Sequence, residues 1–208
     1  MSIRVKICGI TNLPDAEAAI AAGADALGFI LYAPSKRFIT IEDAIRIVEQ
    51  LPPFVQTVAV TVNATKEFTN LGWRKQLKQF GIAQLHGEES PIHVKAVSKY
   101  LPVIKVFPAD QAASVTPAQY DVSAFMLDTP SKDHGGTGIS FDWNLALEFK
   151  KRTTKPLILS GGLNPENVAK AIELVQPYAV DVASGVEASP GKKDHAKLRD
   201  FIQICKKF

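Results

Sequence analysis

Two groups in this sequence are suited to moving protons, a thiol and a carboxyl, and they stand far apart in the chain. Cys8 closes the run Val5-Lys6-Ile7-Cys8, and Asp128 closes Phe125-Met126-Leu127-Asp128. A cysteine in such a place is either a small buried hydrophobe or a thiolate acting as base or nucleophile. Lys6 stands two positions before Cys8, so in an extended strand both side chains share a face. A cation there favours the thiolate, while apolar burial opposes it. Asp128 either caps the turn that follows it or, partly buried with a raised pKa, donates a proton near neutrality. Asp181 lies inside Val180-Asp181-Val182-Ala183, where an unpaired charge is costly. It either pairs with Lys6 across the fold or takes part in the chemistry.

Anion handling shows at two glycine-bearing segments near the C-terminus. Ser160-Gly161-Gly162-Leu163-Asn164-Pro165 reads as strand end, turn and helix start, and Ala183-Ser184-Gly185-Val186-Glu187 follows a later apolar run. Backbone amides around Gly161, Gly162, Ser184 and Gly185, aimed by a helix start, make a phosphate site. The spacing from Gly185 to Gly191 before Lys192 misses a P-loop by one residue, which favours a small phosphorylated metabolite over a nucleotide. Arg37, in Ala33-Pro34-Ser35-Lys36-Arg37, is either a surface charge or a planar grip for a carboxylate. His86 is either a satisfied strand-end histidine or a substrate contact. After Asp128 comes His134-Gly135-Gly136-Thr137-Gly138, either a flexible connection or a lid that excludes water. The four histidines are scattered, and no H-x-H, H-E-x-x-H or C-x-x-C pairing exists, so neither a metal nor another cofactor is expected.

These residues need a scaffold that gathers them. The chain has 208 residues, 46% of them hydrophobic and 22% charged, with a net charge of +3 spread along its length. That balance suits a small anionic substrate and gives no support to nucleic-acid binding. Two cysteines without a secretory pattern point to free thiols in a reducing, cytoplasmic compartment. The most apolar stretch, Ala18 to Ala33, is interrupted by Gly23 and Asp25 and falls short of the ~20 residues that span a bilayer, so no membrane partner is expected.

Short apolar runs alternate with stretches of helical period throughout. The strand candidates are Val5 to Cys8, Ala26 to Leu31, Val55 to Val62, Ile82 to Leu85, Val103 to Phe107, Ala124 to Asp128, Leu157 to Leu159 and Ala179 to Ala183. Helices are predicted over Pro14 to Ala22, Ile41 to Leu51, Thr65 to Gln79, Pro91 to Tyr100, Asp142 to Lys151, Pro165 to Val175 and Asp194 to Lys206, with the faintest helical signal over Ala109 to Tyr120. Asn164, Pro165 and Glu166 supply a cap, a ring suited to the first helical position and a first-turn acid.

Eight strand–helix units of roughly 26 residues, with no composition break, match a minimal (β/α)₈ TIM barrel in which residues 1–208 form one catalytic domain. An open doubly wound sheet is the competing architecture, but Cys8-Gly9-Ile10-Thr11-Asn12-Leu13 lacks its usual G-x-G-x-x-G. In a barrel the strand ends share one mouth, and the polar residues ending these strands are Cys8, Asn63, His86, Asp128, Ser160 and Asp181, with Arg37 in the loop after the second strand.

One family carries these residues in the same order. Lys6-Ile7-Cys8-Gly9-Ile10-Thr11, Ala24-Asp25-Ala26-Leu27-Gly28-Phe29, Ser35-Lys36-Arg37, Gln84-Leu85-His86-Gly87, Leu127-Asp128, Gly135-Gly136-Thr137-Gly138 with Phe141-Asp142-Trp143, Leu159-Ser160-Gly161-Gly162-Leu163 and Asp181-Val182-Ala183-Ser184-Gly185-Val186-Glu187 closely resemble the phosphoribosylanthranilate isomerases. The match runs to Gly191-Lys192-Lys193-Asp194, with one departure at Thr61, where an aromatic or similarly apolar residue is expected.

The resemblance implies an Amadori rearrangement in tryptophan biosynthesis, from N-(5-phosphoribosyl)anthranilate to 1-(2-carboxyphenylamino)-1-deoxyribulose 5-phosphate. By matching position, Asp128 is the general acid that opens the furanose ring and Cys8 the general base at the sugar's second carbon. Arg37 then holds the anthranilate carboxylate, the amides around Gly161, Gly162, Ser184 and Gly185 hold the phosphate, and His86 and Asp181 orient sugar hydroxyls. A related ketol isomerase of histidine biosynthesis carries an aspartate where Cys8 stands. A non-catalytic phosphosugar-binding barrel would keep the glycine loops and lose one of the Cys8 and Asp128 pair. A monomer is the default expectation, with a homodimer as the alternative.

Overall fold

Strands buried on both faces explain why apolar runs, and not strict alternation, mark them in the sequence. The computed structural model describes residues 3–64, 67–130 and 140–208. Its strands are β1 (Arg4–Cys8), β2 (Ala26–Ile30), β3 (Gln56–Thr61), β4 (Ile82–Leu85), β5 (Val103–Pro108), β6 (Ala124–Asp128), β7 (Leu157–Leu159) and β8 (Ala179–Val182). Each pairs in parallel with the next, and β8 pairs with β1 to close the barrel. The (β/α)₈ expectation is met.

The period of two sorts side chains between two environments. Val5, Ile7, Leu27, Phe29, Leu127, Leu159 and Val180 point outward into the large core shared with the helices. Ile104, Val106, Met126 and Ile158 fill the barrel interior, with Cys8, Val58 and Val60 in a second interior cluster. Asp128 sits two residues beyond Met126 and Ser160 two beyond Ile158. Side-chain parity therefore carries both from the apolar interior to its mouth.

The helices are α1 (Leu13–Ala22), α2 (Ile41–Val48), α3 (Leu71–Leu77), α4 (Pro91–Ser98), α5 (Asn144–Lys150), α6 (Val168–Val175) and α7 (His195–Cys205). Side chains of Asn12, Thr40, Asn70, Ser90 and Asp194 cap the starts of α1, α2, α3, α4 and α7 by accepting from backbone N–H groups. Residue 65, where the third helix was expected to begin, lies outside the described residues, and α3 is shorter than predicted. Asn164 accepts from the amides of Glu166 and Asn167 at 3.0 Å each. It therefore caps a turn, and regular helix α6 begins three residues after Pro165.

Between β5 and β6 the segment of faint helical signal forms two 3₁₀ turns, Ala109–Ser114 and Pro117–Gln119. Phe107, Tyr120, Phe125 and Phe149 pack edge to face or tilted around this crossing, with the Phe107 and Tyr120 rings 5.2 Å apart. Arg152 donates to the carbonyls of Ala112, Ala113 and Val115 and so satisfies groups that a full helix would have paired. Thr61, the departure noted in β3, is buried and donates to the carbonyl of Gln84 at 3.5 Å. Its hydroxyl is accommodated by a backbone acceptor.

Candidate active site

The C-terminal mouth of the barrel is a cavity lined by Cys8, Arg37, His86, Asp128, Gly161, Gly162, Asp181 and Ser184, among others. The thiol and carboxyl that sequence placed at the ends of β1 and β6 thus face one space. Cys8 is 5% exposed and Asp128 7%, so both are shielded by protein yet open to the cavity.

Lys6 lies one inward-facing step below Cys8, and its ammonium donates to Asp181 Oδ1 at 2.7 Å. The register of β1 on β8 places the two residues opposite one another. Asp181 thus makes the expected pair with Lys6 and also lines the cavity, and its other oxygen accepts from Ser160 Oγ at 3.2 Å. Burial works against the Lys6 charge, but Asp181 and Cys8 outweigh it and raise its pKa to about 12. For Cys8, burial pushes the thiol pKa up; Lys6 and Lys193 pull it down, Asp181 pushes it further up, and the net shift is upward. The cation moderates the cost of burial without reversing it.

Gly28 makes this arrangement possible. A Cβ there would lie 2.9 Å from both Cys8 Sγ and Lys6 Nζ, so the two side chains occupy the volume that any other residue on β2 would fill. The other cysteine, Cys205, is wholly buried on α7, and burial pushes its thiol up to about 12. It is a core residue.

Asp128 Oδ1 accepts from the amide of Thr129 at 2.7 Å, and His86 Nε2 lies 3.3 Å from Oδ2. His86 is thus a neighbour of the candidate acid on the cavity wall. Its loop is fixed by a buried ion pair, Lys105 Nζ to Glu89 Oε2 at 3.0 Å, while Glu89 Oε1 accepts from the amides of Asn63 and Gly87. Asn63, a strand-end residue singled out in sequence, turns to this loop and accepts from the amide of Glu88 at 2.8 Å. It does not line the cavity.

The glycine segments meet behind the mouth. Gly161 and Gly162 adopt left-handed backbone, φ +88° and +62°. A Cβ on Gly161 would lie 2.4 Å from Thr129 Oγ1 and 3.0 Å from Asp128 Oδ1. Among the described residues no acceptor takes the N–H groups of Gly161, Gly162 or Leu163. Ser184 opens the 3₁₀ turn Ser184–Val186, whose first amides have no partner within the turn. Gly185 itself does not line the cavity; a Cβ on it would fall 1.9 Å from the Leu163 carbonyl oxygen, so it lets one glycine loop pack on the other. Gly135, Gly136, Thr137 and Gly138, the expected lid, lie outside the described residues.

Arg37 reaches the cavity but is not a free guanidinium. Nε and Nη2 both donate to the carboxylate of Glu187, at 2.9 Å to Oε1 and 2.7 Å to Oε2. The two-point grip expected for a substrate is taken by the protein, and Nη1 makes no hydrogen bond among the described residues. Glu187 opens β9 (Glu187–Ser189), which pairs antiparallel with β10 (Lys192–Lys193). Nothing in the sequence gives Glu187 and Lys193 a role, because a hairpin this short leaves no periodic signal. The available clue was an acid and a base flanking Gly191. Among the described residues no group of three or more His, Cys, Asp or Glu is placed to hold a metal ion, and no helix is long and apolar enough to cross a membrane.

A barrel whose mouth gathers a thiol, a carboxyl and amides without acceptors among the described residues belongs with barrels equipped for acid–base chemistry on a small anionic molecule. Residues 5–204 match the model of the N-(5'-phosphoribosyl)anthranilate isomerases. The isomerase of that name from Geobacter sulfurreducens is 48% identical over 207 residues, covering 98% of each chain. The crystal structure of the Thermotoga maritima phosphoribosylanthranilate isomerase is 45% identical, covers 99% of this chain and 100% of its own, and superposes with a TM-score of 0.88. A second structure of such an isomerase, in complex with reduced 1-(o-carboxyphenylamino)-1-deoxyribulose 5-phosphate, is 43% identical over the same shares with a TM-score of 0.85. The chain belongs to the N-(5'-phosphoribosyl)anthranilate isomerase family.

Proposed function

We propose that the mouth catalyses the Amadori rearrangement of N-(5'-phosphoribosyl)anthranilate, with Asp128 as general acid and Cys8 as general base. Asp128 gives its proton to the furanose ring oxygen as the bond from that oxygen to the first sugar carbon breaks. The nitrogen lone pair fills the vacancy to form a Schiff base. The Cys8 thiolate then takes the proton from the second carbon; the C–H electrons form the carbon–carbon double bond and the imine electrons return to nitrogen. The enolamine tautomerises to the ketone, 1-(2-carboxyphenylamino)-1-deoxyribulose 5-phosphate.

The observation that carries this reading is that Cys8 and Asp128 line one cavity beside amides that have no acceptor among the described residues. Those around Gly161, Gly162, Ser184 and Gly185 take the phosphate, which fixes the pentose at one end. Arg37 holds the anthranilate carboxylate through Nη1. His86, beside Asp128, orients a sugar hydroxyl, whereas Asp181 acts through Lys6.

Residues 1–208 act as one catalytic domain, in the cytoplasm, where Cys8 stays reduced. A Thermotoga maritima relative is described as dimeric; here every residue of the proposed mechanism comes from one barrel, and the monomer is the catalytic unit. Sedimentation at working concentration checks the assembly. The function is tested by following the loss of fluorescence of freshly generated phosphoribosylanthranilate with wild type and Cys8→Ser side by side. Turnover by the wild type and its loss in the variant is the expected result; equal turnover overturns the assignment of the base.

A further inference from the structure

We propose that Glu187, itself held by Lys193, is a positioning residue that aims Arg37 at the substrate carboxylate. The proposal rests on the carboxylate-gripping role given to Arg37 above. Arg37, Glu187 and Lys193 are 9%, 8% and 3% exposed, so three charges are buried together at the rim of the mouth. Isolated burial of any one would be costly, and the set persists because each has a charged partner.

The geometry assigns each member a task. Glu187 engages Nε and Nη2 of Arg37, the two nitrogens on one edge of the guanidinium, and leaves Nη1 for another acceptor. Gly9, with φ +75°, leaves room for the Arg37 stem; a Cβ there would lie 2.7 Å from its Cδ. The stem is thereby confined on one side and the head clamped on the other. Lys193 Nζ donates to Glu187 Oε1 at 3.0 Å, to the Cys8 carbonyl at 2.6 Å and to the Ala183 carbonyl at 3.1 Å. It fastens the clamp to the ends of β1 and β8, the strands that carry the candidate base and the phosphate loop.

Charge bookkeeping favours the same role. With two cations around one carboxylate, the cluster keeps a net positive charge, so Arg37 can still attract an anion although it is already paired. A guanidinium held in this way loses little rotational freedom on binding, which is where preorganisation gains affinity.

The test uses two ligands of the whole protein: reduced 1-(o-carboxyphenylamino)-1-deoxyribulose 5-phosphate and its phenylamino analogue without the ring carboxylate. Glu187→Gln should weaken the carboxylated ligand by between about 10- and 100-fold, the range of a charged hydrogen bond, and leave the other within about threefold. KM should rise alongside while kcat changes little, and Arg37→Ala/Glu187→Gln should bind no worse than Arg37→Ala alone. Equal weakening of both ligands, or of neither, overturns the positioning role. If Glu187→Gln fails to fold, Glu187→Gln/Lys193→Met, which restores the cluster's net charge, is read by the same two criteria. Arg37→Ala separates the levels: if it leaves the carboxylated ligand tight, the grip itself falls and this inference with it. If it loosens that ligand while the Glu187 variants do not, only the inference falls.

Discussion

Lys6 Nζ and Asp181 Oδ1 stand 2.7 Å apart inside the barrel, on neighbouring strands, one inward step below the Cys8 thiol. The two act on that thiol with opposite sign: Lys6 favours the thiolate and Asp181 disfavours it. Lys6→Met should therefore move the thiol titration to higher pH and Asp181→Asn to lower pH, both read from thiolate absorbance in the ultraviolet. Each variant breaks a buried ion pair and should lose about 3–5 kcal/mol of stability. Titrations that shift in the same direction would show that the pair does not set the thiol's ionisation.

Proton transfer by a positioned group is typically worth ~10²- to 10⁴-fold in rate. Cys8→Ser and Asp128→Asn should each lower kcat by an amount in that range while the phosphate and carboxylate contacts keep substrate binding close to normal. Single-turnover kinetics with saturating enzyme provides the check. A variant that lost binding and kept its chemical rate would place the residue among the binding groups.

Two glycines are set against side chains of the chemistry, and an added methyl group tests both. At Gly161 it would collide with Thr129 and approach Asp128 Oδ1, on backbone already left-handed; at Gly28 it would displace Cys8 and Lys6. Overpacking of this kind costs typically ~1–3 kcal/mol, so both alanine variants should fold with a lowered Tm. Their kinetics should differ. Gly161→Ala should raise KM as well as lower kcat, because it disturbs the proposed phosphate loop and the proposed acid together, while Gly28→Ala should act mainly on kcat through the thiol.

Strand parity and turn residues make part of the fold legible in the sequence. Apolar runs ended by Cys8 and Asp128 point to a barrel with its candidate chemistry at one end, because strand position in this fold fixes which mouth a residue faces. The shared parity of Lys6 and Cys8 sufficed to place both inside. Other features arise from tertiary closure. That Arg37 spends two nitrogens on Glu187 depends on a hairpin pairing of residues 187–189 with 192–193 that has no period to detect. Gly185 stands out in sequence as a candidate phosphate residue because it follows the last apolar strand run beside Ser184; that its lack of a side chain also lets its loop pack on Leu163 shows only in the folded chain. The segment from Ala109 to Tyr120 gave its faint signal for a physical reason: aromatic packing and Arg152 replace the helix that the crossing lacks.

Acid should destabilise the closure of the barrel through Asp15, on α1. Burial raises its pKa, but the amide of Lys193 at 2.8 Å, His195 Nε2 at 2.8 Å and the Asn12 side chain outweigh that, leaving the carboxyl below its usual value. These contacts join the first helix to the last strand and helix. A carboxyl whose pKa is depressed on folding binds its proton more readily when unfolded, so its stabilisation is complete above the unfolded value of about 3.9 and disappears as pH falls through the lower folded value. Urea unfolding followed from pH 7 to pH 3 should show wild type more stable than Asp15→Asn by about 1–3 kcal/mol at neutrality, from the buried hydrogen bonds lost. The gap should begin to narrow below pH ~4, where the unfolded chain takes up the proton first, and go on closing toward the lower folded value. A gap that stayed constant through that interval would mean that Asp15 contributes by packing and not by its charge.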